Sequence, residues 1–244
     1  MHTPSPTSSP FAVPRTGASR RLASLLAIGA ATFVVLAMPV LTGTDKEAEA
    51  AGRCRPQKAK KFLIRSSYLK PGSFDSKMHQ KSITYRTLNY GWVEGFGSRD
   101  DNEHAPTFYA KDTTFFGLPI KLNRKVVPAL KCVEEEIHRA CKKNPYEPKG
   151  IGGYRDHNTY RGGEITNHLY GIAMDIDTGR NPCCGCVDPW PDHPLCKHKS
   201  IWDKTSMPKC FIDSFEKYGW YWLGRDTLED TMHFEFLGDP KGFK

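Results

Sequence analysis

Two short stretches hold the residue types that could do chemistry. The first is Thr166-Asn167-His168-Leu169-Tyr170-Gly171-Ile172-Ala173-Met174-Asp175-Ile176-Asp177, and the second is Asp230-Thr231-Met232-His233-Phe234-Glu235-Phe236. Taken as one site, they offer two imidazoles, His168 and His233, and one carboxylate, Asp175. Neutral nitrogen and anionic oxygen are the donors that Zn²⁺ takes in open catalytic sites, where three protein ligands leave a position for water. Asp230, just before the last histidine, is a further carboxylate, suited to moving a proton.

Chain geometry limits how these residues can meet. As one extended strand, the seven steps from His168 to Asp175 would span about 23 Å at roughly 3.3 Å each, too far to share one ion. The chain must fold back between them, and Gly171 is the residue best able to allow it. Beyond the turn, Ile172, Met174 and Ile176 alternate with Ala173, Asp175 and Asp177. That pattern predicts a half-buried strand presenting Asp175 on its open face. In the second stretch Met232, Phe234 and Phe236 form the apolar face, and His233 and Glu235 share the other. Asp230 is an odd number of residues before His233, so it belongs to the loop that leads into the strand.

The pattern Thr166-x-His168-x-x-Gly171-x-Ala173-x-Asp175, followed by Asp230-x-Met232-His233-Phe234-Glu235, resembles the zinc D-alanyl-D-alanine carboxypeptidase family. That family includes VanY-type and VanX-type peptidases and phage L-alanyl-D-glutamate endolysins. The resemblance spans roughly residues 110 to 240. Thr166 stands where the family motif usually has Ser, and Asp230 where some branches have Glu. Gly152-Gly153-Tyr154-Arg155, about a dozen residues before His168, also resembles the family, in which the matching arginine faces the metal and stabilises the developing oxyanion. A guanidinium suits that task, being always charged with its donors in a fixed fork. The alternative for Arg155 is a surface pair with Asp156.

The resemblance implies a zinc peptidase acting on the D-amino-acid-containing stem peptides of peptidoglycan. His168, Asp175 and His233 would hold Zn²⁺. Asp230 would take the proton of the attacking water and pass it to the leaving amine, with Glu229 and Glu235 as fallback bases. A solvated Asp titrates near ~3.9, so Asp230 needs a site that raises its pKa. Glu235 is placed to hydrogen-bond a metal ligand instead. Removal of a terminal D-Ala, cleavage between L-Ala and D-Glu, and dipeptide hydrolysis all fit the motif. Two other readings stay open. One is a zinc-holding binding module, since the signalling domain of hedgehog proteins resembles this fold and keeps a similar metal site. The other is a disulfide-stapled wall-binding protein without metal.

Residues 1–50 read as an export signal rather than as fold. Arg20-Arg21 precedes an apolar run from Leu22 to Leu41, and Ala48-Glu49-Ala50 has the small-x-small form of a cleavage site. The run is also long enough to serve as an uncleaved anchor. The expected location is the periplasm, the cell wall or the outside, with membrane contact only through that segment. The formal charge is +8 from 35 Lys+Arg against 27 Asp+Glu; without the four and three in residues 1–50 it is 31 against 24. A basic balance attracts polyanions, but no nucleic-acid-binding signature accompanies it. A monomer is expected.

All eight cysteines follow this segment: Cys54, Cys132, Cys141, Cys183, Cys184, Cys186, Cys196 and Cys210. An even count in an exported chain reads as disulfides. Cys132 and Cys141 are on one predicted helix, about 13 Å apart at 1.5 Å per residue, and cannot pair. The cluster 183–196 has structural zinc as its other reading.

The remaining elements must position the site. Residues 51–106 form an N-terminal extension with little pattern; Lys58 to Arg65 reads as basic surface, and His79 and His104 as solvated. The core is 107–244. Thr113 to Ile120 reads as strand, turn, strand. Asn123 caps a helix from about Arg124 to Lys143, with Val126, Leu130, Val133 and Ile137 on one face. His138 is expected to pair with Glu134. Residues 178–206 are a Pro- and Cys-rich insertion that begins next to Asp175, suited to walling a groove. Ser206 opens a helix with Phe211, Phe215 and Tyr218 on one face and Gly219 at its end. Trp220 to Gly224 reads as a strand. The fold class that follows is α+β, a single domain with a central antiparallel sheet and packed helices.

Overall fold

The computed structural model describes residues 54–160, 164–187 and 190–243. The export-signal reading of residues 1–50 lies outside them. Among the described residues no helix is long and apolar enough to cross a membrane.

The architecture is α+β. In chain order come β1 (Leu69–Lys70), β2 (Ser73–Phe74), α1 (Ser76–Tyr90), β3 (Ala110–Phe115), β4 (Leu118–Asn123), α2 (Val127–Ala140), β5 (Ile151–Gly152), β6 (Ala173–Ile176), α3 (Lys209–Lys217), β7 (Trp220–Trp222) and β8 (His233–Phe236). Two hairpins, β1–β2 and β3–β4, accompany a four-stranded sheet of order β5-β6-β8-β7, antiparallel throughout.

The strand-turn-strand expectation becomes the β3–β4 hairpin. Its two-residue turn, Phe116-Gly117, has φ values of 50° and 74°, the positive pair that matches strand twist. The following helix starts later than Asn123 predicts, at Val127, with Pro128 in its first turn. Asn123 instead accepts from the Lys125 N–H and donates its amide to the carbonyls of Tyr90 and Tyr170. Glu134 pairs with Lys131 at 2.9 Å rather than with His138, whose ring packs on Phe116.

One face of the four-stranded sheet is core. Trp220, Trp222, Phe234, Phe236, Met174 and Ile176 are almost fully buried, and the stripe of α3 packs there, with Phe215 stacked on Phe234 at 4.0 Å. Alternation then sends Asp175, His233 and Glu235 to the opposite face. That face is also covered. Asp175 is 5 % exposed and every residue of β6 is buried, so the half-buried strand with an open face is corrected to one covered on both sides.

Residues 54–106 prove to be an integral layer. α1 was not legible from apolar spacing, because its buried side chains include Ser82, Arg86 and Thr87 beside Ile83 and Tyr90. Its N-cap is regular: Asp75 accepts from the Met78 N–H at 2.9 Å. The helix ends at Gly91, φ 111°, where any Cβ would meet the Pro106 backbone at 2.7 Å. His79 and His104 are not simply solvated; they pack on Tyr68 and on Phe108.

The cysteines form four bridges, Cys54–Cys132, Cys141–Cys210, Cys183–Cys186 and Cys184–Cys196, so the 183–196 cluster is stapled by two of them. By chain entropy the two long closures contribute about 4–5 kcal/mol each and the two short ones about 2–3 kcal/mol each.

Candidate metal centre and active-site cleft

Strand register creates the site. Asp175 on β6 is the direct cross-strand partner of His233 on β8, which sets their side chains side by side on one face. Gly152 of β5 lies opposite Asp175 on its other flank. His168 arrives from the turn before β6. Gly171, φ 67°, turns the chain there, and its N–H returns to the His168 carbonyl at 3.0 Å. The fold-back demanded by the His168–Asp175 spacing is thus made at Gly171.

One donor atom from each of His168, Asp175 and His233 lies within 4.8 Å of the others, and all three residues are buried. His168 Nε2 and His233 Nδ1 are 3.1 Å apart, and His233 Nδ1 is 2.9 Å from Asp175 Oδ1. The far nitrogen of each imidazole is taken. His168 Nδ1 donates to the Gly153 carbonyl at 2.6 Å, and His233 Nε2 donates to Glu235 Oε1 at 3.2 Å. Each remote hydrogen bond turns the other ring nitrogen inward, the arrangement that fixes histidine ligands. Two nitrogens and one oxygen converging in this way fit a divalent metal ion. Asp230 strengthens the fit: its Oδ1 is buried, lines the same cleft, and has no hydrogen-bond partner among the described residues.

The electrostatics follow from burial and pairing. Burial lowers the His168 pKa and keeps that ring neutral, against the pull of Asp175. Burial also acts to lower His233, but its hydrogen bonds to Asp175 and Glu235 and their charges push it up to about 10. Asp175 is held well below the usual carboxylate range: burial opposes ionisation, and the two histidines outweigh it. Asp230 moves the other way. Burial above all, with the charges of Asp175 and Glu235 and against the pull of His233, raises it to about 7.

Arg155 does not pair with Asp156, which binds His157 instead. Its Nη2 donates to Asp175 Oδ2, and its side chain is one-third exposed, facing the cleft. Glu229, a fallback base, is engaged by Lys204 at 2.5 Å. Glu235, the other, is occupied by His233.

The cleft measures about 600 Å³. Cys183, Gly185, Cys186, Val187 and Trp190 of the 178–206 insertion form one wall, so that segment does border the groove. The bridge between Cys183 and Asp230, with the Cys184 and Gly185 N–H groups on the Glu229 and Leu228 carbonyls, ties this wall to the Asp230 loop. Arg65 corrects the surface reading of Lys58 to Arg65. It lines the cleft, holds Glu164 through two bonds of 2.6 and 3.0 Å, and reaches Asp226 at 2.9 Å. Nothing in its sequence neighbourhood signals this, because both partners are about 100 residues or more away.

Residues 160–236 match the family model described as D-alanyl-D-alanine carboxypeptidase. The matched span holds His168, Asp175, Asp230 and His233 and is less than half of the chain. It supports a hydrolase of that carboxypeptidase type, from a broadly metal-dependent family that acts on peptides. No curated protein and no solved structure matches the chain.

Proposed function

We propose that the protein is an exported zinc metallopeptidase that cleaves a peptide bond in peptidoglycan stem peptides. The observation that carries this reading is the convergence of His168 Nε2, His233 Nδ1 and an Asp175 oxygen at a cleft where a buried carboxylate, Asp230, has one oxygen without a partner among the described residues. His168, Asp175 and His233 would hold Zn²⁺, which when bound supplies Lewis-acid polarisation and a water acidic enough to attack at neutral pH.

The chain's own groups do the rest. Burial raises the Asp230 pKa in the metal-free protein, the direction that a proton acceptor working near neutrality needs. It takes the proton from the attacking water and returns it to the leaving amine. Arg155, at the cleft and always charged, is placed to bind the oxygen on which charge develops. Glu235 and the Gly153 carbonyl keep the two imidazoles in ligand orientation. Asp230 and Arg155 both standing at the site favour an enzyme over a zinc-holding binding module.

Defined muropeptides incubated with the oxidised protein, with and without a zinc chelator, test the proposal by mass spectrometry. Loss of a fragment only without chelator is the expected result, and its mass names the bond. Intact substrates with zinc-loaded protein would overturn the assignment.

A further inference from the structure

We propose that Cys183, Cys186 and Asp230 form a second metal site, one that exists only when the Cys183–Cys186 bridge is reduced. One ligand atom from each, two Sγ and a carboxylate oxygen, lies within 4.8 Å of the others. The set shares no residue with His168, Asp175 and His233, although both sets line the same cleft. Cys183-Cys184-Gly185-Cys186 has the C-x-x-C spacing of zinc sites. Two thiolates and a carboxylate, with water completing the shell, suit Zn²⁺ or its probe Co²⁺. Asp230 supplies an independent sign of a cation here. It is 8 % exposed, and its Oδ1 has no hydrogen-bond partner among the described residues.

The sulfurs are held beside Asp230 by more than their own bond. The Cys183 and Asp230 backbones form an antiparallel bridge. The Cys184 and Gly185 N–H groups donate to the Glu229 and Leu228 carbonyls at 3.1 and 2.7 Å. The Thr231 N–H and hydroxyl both donate to the Pro182 carbonyl, at 3.1 and 2.8 Å. Gly185 lies so close to the facing loop that an added Cβ would be 2.6 Å from the Thr227 carbonyl oxygen. Opening the bridge therefore frees two thiols without moving the loop away.

This bridge is also the one most readily opened. Its cysteines are 3 residues apart in sequence, against 12, 69 and 78 for the others, so loop closure stabilises it least. Cys186 is partly exposed at the cleft, within reach of a thiolate. A dithiol attacking Cys186 Sγ forms a mixed disulfide and releases Cys183; its second thiol then closes the reagent's own disulfide and releases Cys186. Two electrons pass to the protein, and the two protons of the dithiol end on the two sulfurs. A bound metal ion displaces both protons. Asp230, taken as a ligand, then no longer accepts a proton from water, so the site switches the peptidase off. That consequence rests on the metallopeptidase reading; the site itself does not.

The test titrates Co²⁺ into the full chain, oxidised or treated with the least dithiothreitol that frees two thiols and then desalted under argon. Alkylation and peptide mapping should find those thiols at Cys183 and Cys186. The His168, Asp175 and His233 centre offers cobalt no sulfur, so a thiolate-to-cobalt charge-transfer band reports the second site alone. It should appear only in the reduced protein, with one more Co²⁺ bound than in the oxidised form. Cys183→Ser/Cys186→Ser, treated in the same way, should give no band. Should that variant not fold, Asp230→Asn keeps both sulfurs. It should raise the Co²⁺ concentration at half-maximal band about tenfold or more, since even a partner one step beyond a ligand is worth about 10- to 100-fold. Another bridge opening first, reduced wild type without the band, the same band in the double-serine variant, or an unchanged midpoint in Asp230→Asn would overturn the inference. Muropeptides left intact by the oxidised, zinc-loaded protein would instead overturn the metallopeptidase reading, and the band would still decide the site.

Discussion

Asp175 and His233 are direct partners across the β6–β8 ladder, and His233 Nδ1 lies 2.9 Å from Asp175 Oδ1. In the metal-free protein that contact carries a proton, since His233 titrates only near about 10. A cation bound there must displace it.

Zinc affinity should therefore rise with pH. Below about 10 each bound ion releases close to one proton from His233, so the apparent affinity gains up to about tenfold per pH unit and levels off above that point. Chelator competition at pH 6, 7 and 8 would show the slope. A flat profile would mean that His233 is already neutral in the metal-free chain.

Asp230→Asn should separate chemistry from stability. Turnover falls by about 10²-fold or more with zinc retained, because the proton acceptor is gone. The metal-free variant should also be more stable than wild type at pH 8. The sign follows from Asp230 being raised to about 7 from 3.8. The native state holds that proton more tightly than the unfolded chain, so wild-type stability is lost as pH rises through about 4 to 7. The expected gain at pH 8 is on the order of 2–4 kcal/mol, vanishing at pH 4. Thermal melts of both proteins, chelated, at the two pH values decide it.

Gly171→Ala should weaken both fold and metal site. The residue has φ 67°, and an added Cβ would lie 2.8 Å from the Asn123 nitrogen. A cost of about 2 kcal/mol or more is expected from strain and displacement. Because Gly171 anchors the His168 turn, zinc affinity should fall with it. Urea titration and chelator competition on the same sample would reveal a variant that loses one property and keeps the other.

Arg65→Met should leave Asp226, whose side chain is fully buried, without its cationic partner. Losing one member of such a pair costs about 3–5 kcal/mol. The loop before Asp230 and the adjacent cleft wall loosen, so KM is expected to rise more than kcat falls. Wild-type stability in urea would mean that the pairing is dispensable.

The convergence of His168, Asp175 and His233 was legible in the chain, and its supports were not. Spacing alone required the turn at Gly171 and placed Glu235 beside His233, because local geometry forces both. The apolar face of α3 followed from periodicity, although the helix opens at Lys209 after Pro208 and not at Ser206, and the β3–β4 hairpin followed from the strand-turn-strand pattern. α1 escaped because three of the five residues it buries are Ser82, Arg86 and Thr87, the arginine bonding Asn167. Arg65 escaped because a basic run looks the same whether it meets water or, as here, Glu164 and Asp226. The covered face of β6 escaped for a related reason: alternation marks which side is polar, not whether solvent reaches it.

The two long disulfides have a consequence for limited proteolysis. Cys132 lies within α2 and Cys141 caps its end; the first holds Cys54 and the second holds Cys210. A single nick between positions 54 and 132, or between 141 and 210, leaves both pieces covalently joined, the 178–206 insertion included. Between Cys54 and Cys210 only a cut from 132 to 141 would part them, and that stretch is helix from 132 to 140, packed against the core.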